Sequence, residues 1–465
     1  MARRHRLAIS PHDYHRYREL NFDLGGQQYT VVTKPGIESW DEPDPTTRLL
    51  IEVMEVGSAD RVVDLGCGVG LVGLVAAQGA PQGWVCLLDR NAVPVEAAQR
   101  TLALNGVLNA EVRLSDCGAA VQGQAFDLVA IHAPRERAVV QQCVRDAAAL
   151  LQPGGRCYLA GATRSGVKSA IRYLEEIFGQ THLLAYKGGS RVVLAVKGEG
   201  VRVDEATSKE YYRFREVIAQ VRGKRYTCIT KRGLFSWDGV DEGTRRLVES
   251  MEIGPEERVL DLGCGYGLAG LVAADVAPGG EVVLVDADCV AVEAARRTLE
   301  RNEVAHAEVL LSDCGAALLP LPPRGRDRPT DRDRAFNRTF DVVITNPPFH
   351  QGRGVSYQVS RQFIHDAAAM LRPGGRLYLV ANRFIPYGRE MEGLFQEVGF
   401  AYRDNRFQVW TAIKGRSPSR RGQERGRWAS GCGGFPPDRA TRSRTLPACG
   451  SVTRPSSRAR MSALV

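Results

Sequence analysis

The stretch Asp261-Leu262-Gly263-Cys264-Gly265-Tyr266-Gly267 places an acid two residues before the first of three alternating glycines. Glycines at this spacing permit tight turns and close backbone approach, leaving amide groups free to face a ligand at a strand end. A dinucleotide loop follows G-x-G-x-x-G and lacks the leading acid. Asp261 is instead suited to accept hydrogen bonds from an amino-acid ammonium group, which fits S-adenosylmethionine better than a pyrophosphate. Asp286 ends the next apolar run, placed to accept from two ribose hydroxyls, and Asp313 ends the third, placed to accept from an adenine amine. Singly, these acids could cap a helix or hold a turn. In order at successive strand ends, where open α/β sheets bind ligands, they read as one cofactor site. Cys264 reads as a small packing residue of that site, since no activating base accompanies it.

A second constellation follows the apolar run Val342 to Thr345: Asn346-Pro347-Pro348-Phe349. Methyl transfer to a planar exocyclic amine needs the nitrogen lone pair aimed at the methyl donor. The Asn346 side-chain oxygen and the Pro347 carbonyl can accept the two N–H groups and offset the charge that develops on nitrogen. Two prolines fix the loop and remove competing donors, and Phe349 can stack on a base. Asn-Pro-Pro is also a good turn, so the catalytic reading rests on the cofactor set preceding it. His350 is equally suited to act as a base or to contact RNA or solvent, and water suffices to take the proton.

The chain carries this apparatus one and a half times. Asp64-Leu65-Gly66-Cys67-Gly68-Val69-Gly70 repeats the second loop at an offset of 197 residues (64 to 261). Asp89 and Asp116 repeat Asp286 and Asp313, and Tyr14 to Glu19 and Glu38 to Asp41 repeat Tyr211 to Glu216 and Phe235 to Asp238. Repeats of this length are two copies of a fold, not a solenoid. The copies part where the second gains Leu319 to Thr339, with six Arg and three Asp, and realign at Phe126-Asp127 and Phe340-Asp341. In place of Asn346-Pro347-Pro348-Phe349 the first copy has His132-Ala133-Pro134-Arg135. The expectation is a catalytic second half and a first half that can still bind the cofactor through Asp64, Gly66, Gly68, Gly70, Asp89 and Asp116 without transferring a methyl.

Short apolar runs alternate with helical stretches throughout both copies, which implies doubly wound, mostly parallel sheets with helices on both faces. The expected organisation is two tandem Rossmann-like methyltransferase domains of class α/β, spanning residues 1–200 and 209–415, joined by a polar linker at Glu199 to Ser208. From Arg416 onward, eleven arginines stand against Glu424 and Asp438, so the net charge of +9 is a property of this tail. Residues 416–465 are expected to be disordered, either a solvated extension or an arm that gathers RNA phosphates. The eleven cysteines form no C-x-x-C pair, so no zinc site or disulfide framework is indicated and no metal is expected. Neither a membrane-length apolar run nor a secretory h-region is present, which points to the cytoplasm.

With these motifs in hand, the chain resembles the ribosomal RNA guanine-N2 methyltransferases, bacterial members of which pair a degenerate N-terminal half with an active C-terminal half. The likeness covers nearly all of residues 10–415. It rests on Phe235-Ser236 with Asp241-x-Gly243-Thr244, on Asn346 to His350, and on Val380-Ala381-Asn382-Arg383-Phe384-Ile385-Pro386-Tyr387. The resemblance implies S-adenosylmethionine at Asp261 to Gly267, Asp286 and Asp313, the target amine at Asn346 to Phe349, and N2-methylguanine in ribosomal RNA of the small-subunit, 16S type as product. The partner is then ribosomal RNA or a ribosomal subunit, and the two fused halves are expected to act as a monomer. Adenine-N6 and protein-glutamine methyltransferases use a similar tetrapeptide, so those acceptors stay open, as does a non-catalytic RNA-binding assembly factor. The basic tail has no counterpart in the family pattern.

Overall fold

A computed structural model describes residues 13–24, 26–319, 338–348 and 352–415. Phe349, His350, nearly all of the Leu319–Thr339 segment and the Arg-rich tail lie outside the described residues. The described residues form one compact unit made of two lobes.

In the first lobe, β1 (Arg18–Leu24) and β2 (Gln27–Thr33) form a hairpin ahead of α1 (Pro45–Val53). The lobe then alternates β3 (Arg61–Leu65), α2 (Leu71–Gly79), β4 (Trp84–Asp89), α3 (Ala92–Leu104), β5 (Ala110–Leu114), β6 (Phe126–His132), α4 (Arg137–Leu150) and β7 (Leu151–Ala162). It closes with α5 (Val167–Phe178), β8 (Thr181–Lys187) and β9 (Ser190–Val196). The second lobe repeats the plan. After α6 (Glu205–Tyr212) come the hairpin β10 (Arg215–Val221) and β11 (Lys224–Thr230), α7 (Glu242–Ser250), β12 (Val259–Leu262), α8 (Leu268–Val276), β13 (Val282–Asp286) and α9 (Cys289–Arg301). Then follow β14 (Ala307–Leu311), β15 (Phe340–Thr345), α10 (Gly352–Met370), β16 (Leu371–Asn382), α11 (Gly388–Glu392), β17 (Glu397–Arg403) and β18 (Phe407–Ile413).

Both sheets have seven strands in equivalent order, β5-β4-β3-β6-β7-β9-β8 and β14-β13-β12-β15-β16-β18-β17. The first five of each are parallel, the sixth (β9 or β18) runs antiparallel to them, and the edge strand (β8 or β17) pairs antiparallel with the sixth. Their central strands are near-continuous runs of Val, Leu and Ile because helices cover both faces: Val259, Leu260, Val283, Leu284, Val343 and Ile344 are fully buried. The strand order reverses between β12 and β15, where ligands bind open α/β sheets. The loops leaving those adjacent strands are the cofactor loop and the Asn346 loop, so topology alone brings the two motifs together.

The stretch expected to be a linker is partly helical. Asp204 caps α6 by accepting the Ala206 N–H at 3.0 Å, and the helix delivers Tyr211 and Tyr212 into the first lobe. Tyr211 is 2 % exposed within that lobe's core, while Tyr14 from the first lobe is 3 % exposed within the core of the second. Each lobe therefore seats a tyrosine in the other, a reciprocal exchange that follows the sequence repeat.

Candidate active site

Asp261 ends β12 with one carboxylate oxygen accepting the Gly270 N–H at 2.7 Å, which ties the strand to the first turn of α8. No other hydrogen bond to this carboxylate exists among the described residues, and Asp261 lines a cavity of about 50 Å³ shared with Gly263, Gly265, Phe235, Thr244 and Asn346. Burial, partly offset by the Gly270 bond and reinforced by Asp286, pushes its pKa up to about 7. A buried acid with no facing cation is a receptor for one, and an ammonium group there would restore the ionised form. Asp286 accepts the Gly265 N–H at 2.9 Å and the Asp288 N–H at 3.0 Å, and burial together with the Asp288 charge lifts it to about 6. Gly265 has φ +55° and a Cβ added there would meet nothing within 4 Å, so the loop offers open backbone to the cavity. At Gly263, by contrast, a Cβ would stand 2.7 Å from the Phe363 ring, which makes glycine obligatory. The paired acids and open loop fit the amino-acid and ribose portions of S-adenosylmethionine. Cys264 lines the same cavity, and burial drives its thiol far above the ordinary range, so it packs and does not attack.

Asn346 is held by its amide nitrogen. Nδ2 donates to Asp241 Oδ2 at 3.1 Å and to Thr244 Oγ1 at 2.9 Å. A carboxylate only accepts, so Asp241 dictates which way the amide faces and leaves Oδ1 as the outward acceptor. Asp241 is itself fixed as the cap of α7, accepting the Thr244 N–H at 2.8 Å. The loop is pinned on both sides: Thr345 Oγ1 donates to the Leu262 carbonyl at 2.7 Å, and Ser360 Oγ of α10 to the Pro348 carbonyl at 2.8 Å. The Pro347 carbonyl accepts no hydrogen bond among the described residues. Two acceptors, one side-chain and one backbone, are therefore held ready for a planar NH2 group.

Asp313 departs from its expected part. Its carboxylate is met by Tyr14 Oη at 3.4 Å, His15 Nδ1 at 3.3 Å and Lys34 Nζ, all from the first lobe. Although burial opposes it, the His15 bond and the Lys34 charge hold the group below the usual carboxylate range. His15 Nε2 also lies 3.2 Å from Asp366. The physical reason is plain: a buried lysine, 1 % exposed, needs a buried anion, and Asp313 supplies it. Asp116 repeats this, bonded by Tyr211 at 3.1 Å and by Lys231 from the second lobe. Both third acids are thus engaged between the lobes, turned to the opposite lobe's donors.

The first lobe preserves the cradle in detail. Gly66, Gly68 and Gly70 have φ of 81°, 55° and 81°, against 79°, 55° and 86° for Gly263, Gly265 and Gly267. Asp64 accepts the Gly73 N–H at 3.2 Å, and burial lifts it to about 7, while Asp89 accepts from Gly68 at 3.2 Å and Asn91 at 3.0 Å. Its cavity, about 250 Å³, is larger. Two substitutions set it apart. Arg90 replaces Ala287, lines the cavity and reaches across to Asp288 at 2.6 Å. His132 stands in the place of Asn346, its Nε2 3.2 Å from Asp44, the counterpart of Asp241. Burial opposes protonation of this ring, but Asp44 outweighs it and the pKa is raised. With Nε2 turned to a carboxylate that nitrogen is a donor, so the outward acceptor that Asn346 offers has no counterpart at this atom.

Sequence reasoning missed the partners that act through others. Asp241 and Thr244 entered only as part of a likeness, and the spacing of capping residues could have placed them at a helix start. Lys34 and Lys231 keep the same 197-residue offset as the glycine loops, a signal that paired buried cations were part of the repeat.

Fold and site together define an S-adenosylmethionine-dependent methyltransferase. The Methyltransferase small domain matches residues 28–194, 225–320 and 325–411, and the chain belongs to this family. It is 30 % identical over 313 residues to ribosomal RNA small subunit methyltransferase C of Hahella chejuensis, covering 67 % of this chain and 84 % of that one. It is 26 % identical over 409 residues to ribosomal RNA large subunit methyltransferase G of Klebsiella pneumoniae, covering 84 % and 98 %. Among solved structures, the 16S rRNA N2 methyltransferase RsmC of T. thermophilus, in complex with AdoMet and guanosine, matches with a TM-score of 0.72 at 31 % identity, over 87 % of this chain and all of that one. No helix among the described residues is long and apolar enough to cross a membrane.

Proposed function

We propose that this chain methylates the exocyclic N2 amine of a guanine in ribosomal RNA of the small subunit. The observation that carries the reading is the orientation of Asn346, whose amide nitrogen is committed to Asp241 and Thr244 so that Oδ1 faces outward beside the cofactor cavity. Asn346 Oδ1 and the Pro347 carbonyl each accept one N–H of the target amine, which aims its lone pair and lowers the cost of positive charge on nitrogen. Asp261, Asp286 and the glycine loop hold S-adenosylmethionine, which supplies an electrophilic methyl group. After transfer the amine loses a proton to water, so no general base is needed. Guanine is favoured over adenine or glutamine by the named relatives, and the small subunit by their higher identity of 30–31 % against 26 %. The partner is ribosomal RNA or a ribosomal subunit in the cytoplasm, met by a monomer whose two lobes already interlock. Incubation with labelled cofactor and stripped subunits, followed by digestion to nucleosides, is expected to give N2-methylguanosine from small-subunit RNA that disappears in Asn346→Ala. Label in adenosine or protein would refute the guanine assignment.

The first lobe keeps cofactor binding without transfer. Its glycine conformations and the hydrogen bonds of Asp89 support this reading, and His132 in the place of Asn346 accounts for the missing chemistry.

A further inference from the structure

Single exposed aromatic side chains are ordinary, but several gathered around one site mark an interaction surface. In the second lobe Phe235, Tyr357 and Phe384 are 61 %, 54 % and 72 % exposed. They come from three separate segments, and each segment reaches the Asn346 loop. Phe235 lines the cavity with Asn346 itself. Tyr357 lies one turn of α10 before Ser360, which bonds the Pro348 carbonyl at 2.8 Å. Phe384 follows β16 three residues before Tyr387, whose hydroxyl meets Ser360.

The first lobe provides an internal control, because the same fold there lacks the amine-accepting Asn. The 197-residue offset pairs Phe235 with Glu38. Past the catalytic loop the offset becomes 220 residues, fixed by Asp146 and Asp366, which accept the Gly118 and Gly315 N–H groups at 2.8 Å in the two lobes. It pairs Tyr357 with Arg137 and Phe384 with Arg164. All three positions are exposed in both lobes, but they are aromatic only where Asn346 is present. Glu38, His132 and Arg164 line one cavity of the first lobe; in the second, Phe235 and Asn346 line the equivalent cavity, and the shared fold puts Phe384 at its edge. Surface composition alone would give no such division.

We infer that Phe235, Tyr357 and Phe384 form a stacking surface for unpaired RNA bases around the Asn346 loop. Phe235, within the cavity, stacks on the guanine extruded from the RNA, and Tyr357 and Phe384, on the outer rim, stack on the nucleotides beside it. This surface prefers an acceptor nucleotide in an unpaired loop, since bases held in a duplex cannot reach the rings. The inference rests on the ribosomal RNA reading given above.

The test uses the full chain with the stripped small subunits that the wild type methylates. Tyr357→Ala and Phe384→Ala are expected to raise the KM for RNA about tenfold each while leaving the KM for cofactor and kcat near wild type. Phe235→Ala is expected to lower kcat/KM for RNA by a similar factor. Phe384→Trp and Tyr357→Phe, which keep a ring, should restore wild-type values, and thermal melting should be unchanged because all three side chains lie in water. Tyr186→Ala, which removes an equally exposed ring from the first lobe, should have no effect. Wild-type methylation of RNA with unaltered RNA KM in Tyr357→Ala and Phe384→Ala would overturn the stacking surface alone, as would an equal loss in Tyr186→Ala. Absence of N2-methylguanosine with the wild type would overturn the functional reading and the surface with it.

Discussion

Replacing Asp241 by Asn tests whether the amide of Asn346 is oriented by charge. The substitution is nearly isosteric and Asn caps helices as well as Asp does, so α7 should start where it does now. What changes is the partner of Asn346 Nδ2, now 3.1 Å from a carboxylate oxygen that can only accept. An Asn at this position can present either its oxygen or its NH2, and in the second case the Asn346 amide is driven to turn. Hydrogen bonds to charged groups contribute about 1.5–3 kcal/mol, roughly tenfold to 150-fold in kcat if the whole effect is felt in the transition state. Thr244→Val removes the neutral partner at 2.9 Å and should cost less, about twofold to tenfold. The assay is single-turnover methylation of stripped subunits at saturating cofactor, with thermal melting as a check on the cap. The decisive comparison is a double-mutant cycle: with Asn346→Ala already in place, Asp241→Asn should lower the residual rate no further. An Asp241→Asn enzyme within twofold of wild type, or one that loses as much with Asn346→Ala as without it, would refute the reasoning.

Three further predictions follow from the buried charges. His15 has its pKa raised to about 9: burial opposes protonation, but the Asp313 and Asp366 bonds outweigh it. Its stabilising contribution is therefore complete below the unfolded value of about 6.5 and lost as pH rises through about 9, with an upper bound of about 3 kcal/mol. Denaturant titrations should show the stability difference between wild type and His15→Gln shrinking between pH 6.5 and 9.5, and a constant difference would contradict this. Asp261, lifted to about 7, must give up a proton to hold an ammonium group, so cofactor affinity should rise from pH 6 to 8 with net proton release measurable by calorimetry in buffers of different ionisation enthalpy. A pH-independent Kd over that range would exclude Asp261 as the ammonium receptor. The full chain should bind two S-adenosylmethionine molecules, reduced to one by Asp89→Asn; a wild-type stoichiometry of one would show the first cradle to be closed.

The strands and glycine loops were legible because their signals are local. A run such as Val282 to Val285 is apolar at every position only if both faces are covered, and a glycine at φ +79° or +55° leaves its mark on the sequence itself. Proximity of the Asn346 loop to the cofactor loop followed from strand order, a property of the topology that alternation already implied. Asp313 shows where local reasoning stops. A strand-end acid has the same appearance whether it faces a ligand or a lysine, and Lys34 lies 279 residues away on the other lobe. Only the repeat could have disclosed it, since Lys34 and Lys231 must each have lost water to a partner that the duplicated fold places in the opposite half.

That exchange explains why a lobe without the amine-accepting Asn is retained. Lys34 is 1 % exposed and Lys231 is 3 % exposed, so each carries a desolvation penalty that the other lobe's acid offsets, with help from the Tyr14 and Tyr211 rings beneath them. Breaking a buried pair by removing one partner typically costs about 3–5 kcal/mol, a large share of a domain's net stability. Loss of the first lobe would leave Asp313 and Asp366 without His15 and Lys34 directly behind the third strand of the catalytic sheet. His132, Glu38, Arg137 and Arg164 take no part in the interlobe charge pairs, so the first lobe differs from the second at these positions without disturbing them. Lys34 and Tyr14 have Lys231 and Tyr211 as their repeat partners, while His15 has Tyr212, which bonds Asp146 at 2.6 Å. The amine-accepting residues differ between the lobes while the reciprocal Lys and Tyr contacts are common to both, and the cofactor loops, built into the same sheet as those contacts, are common with them.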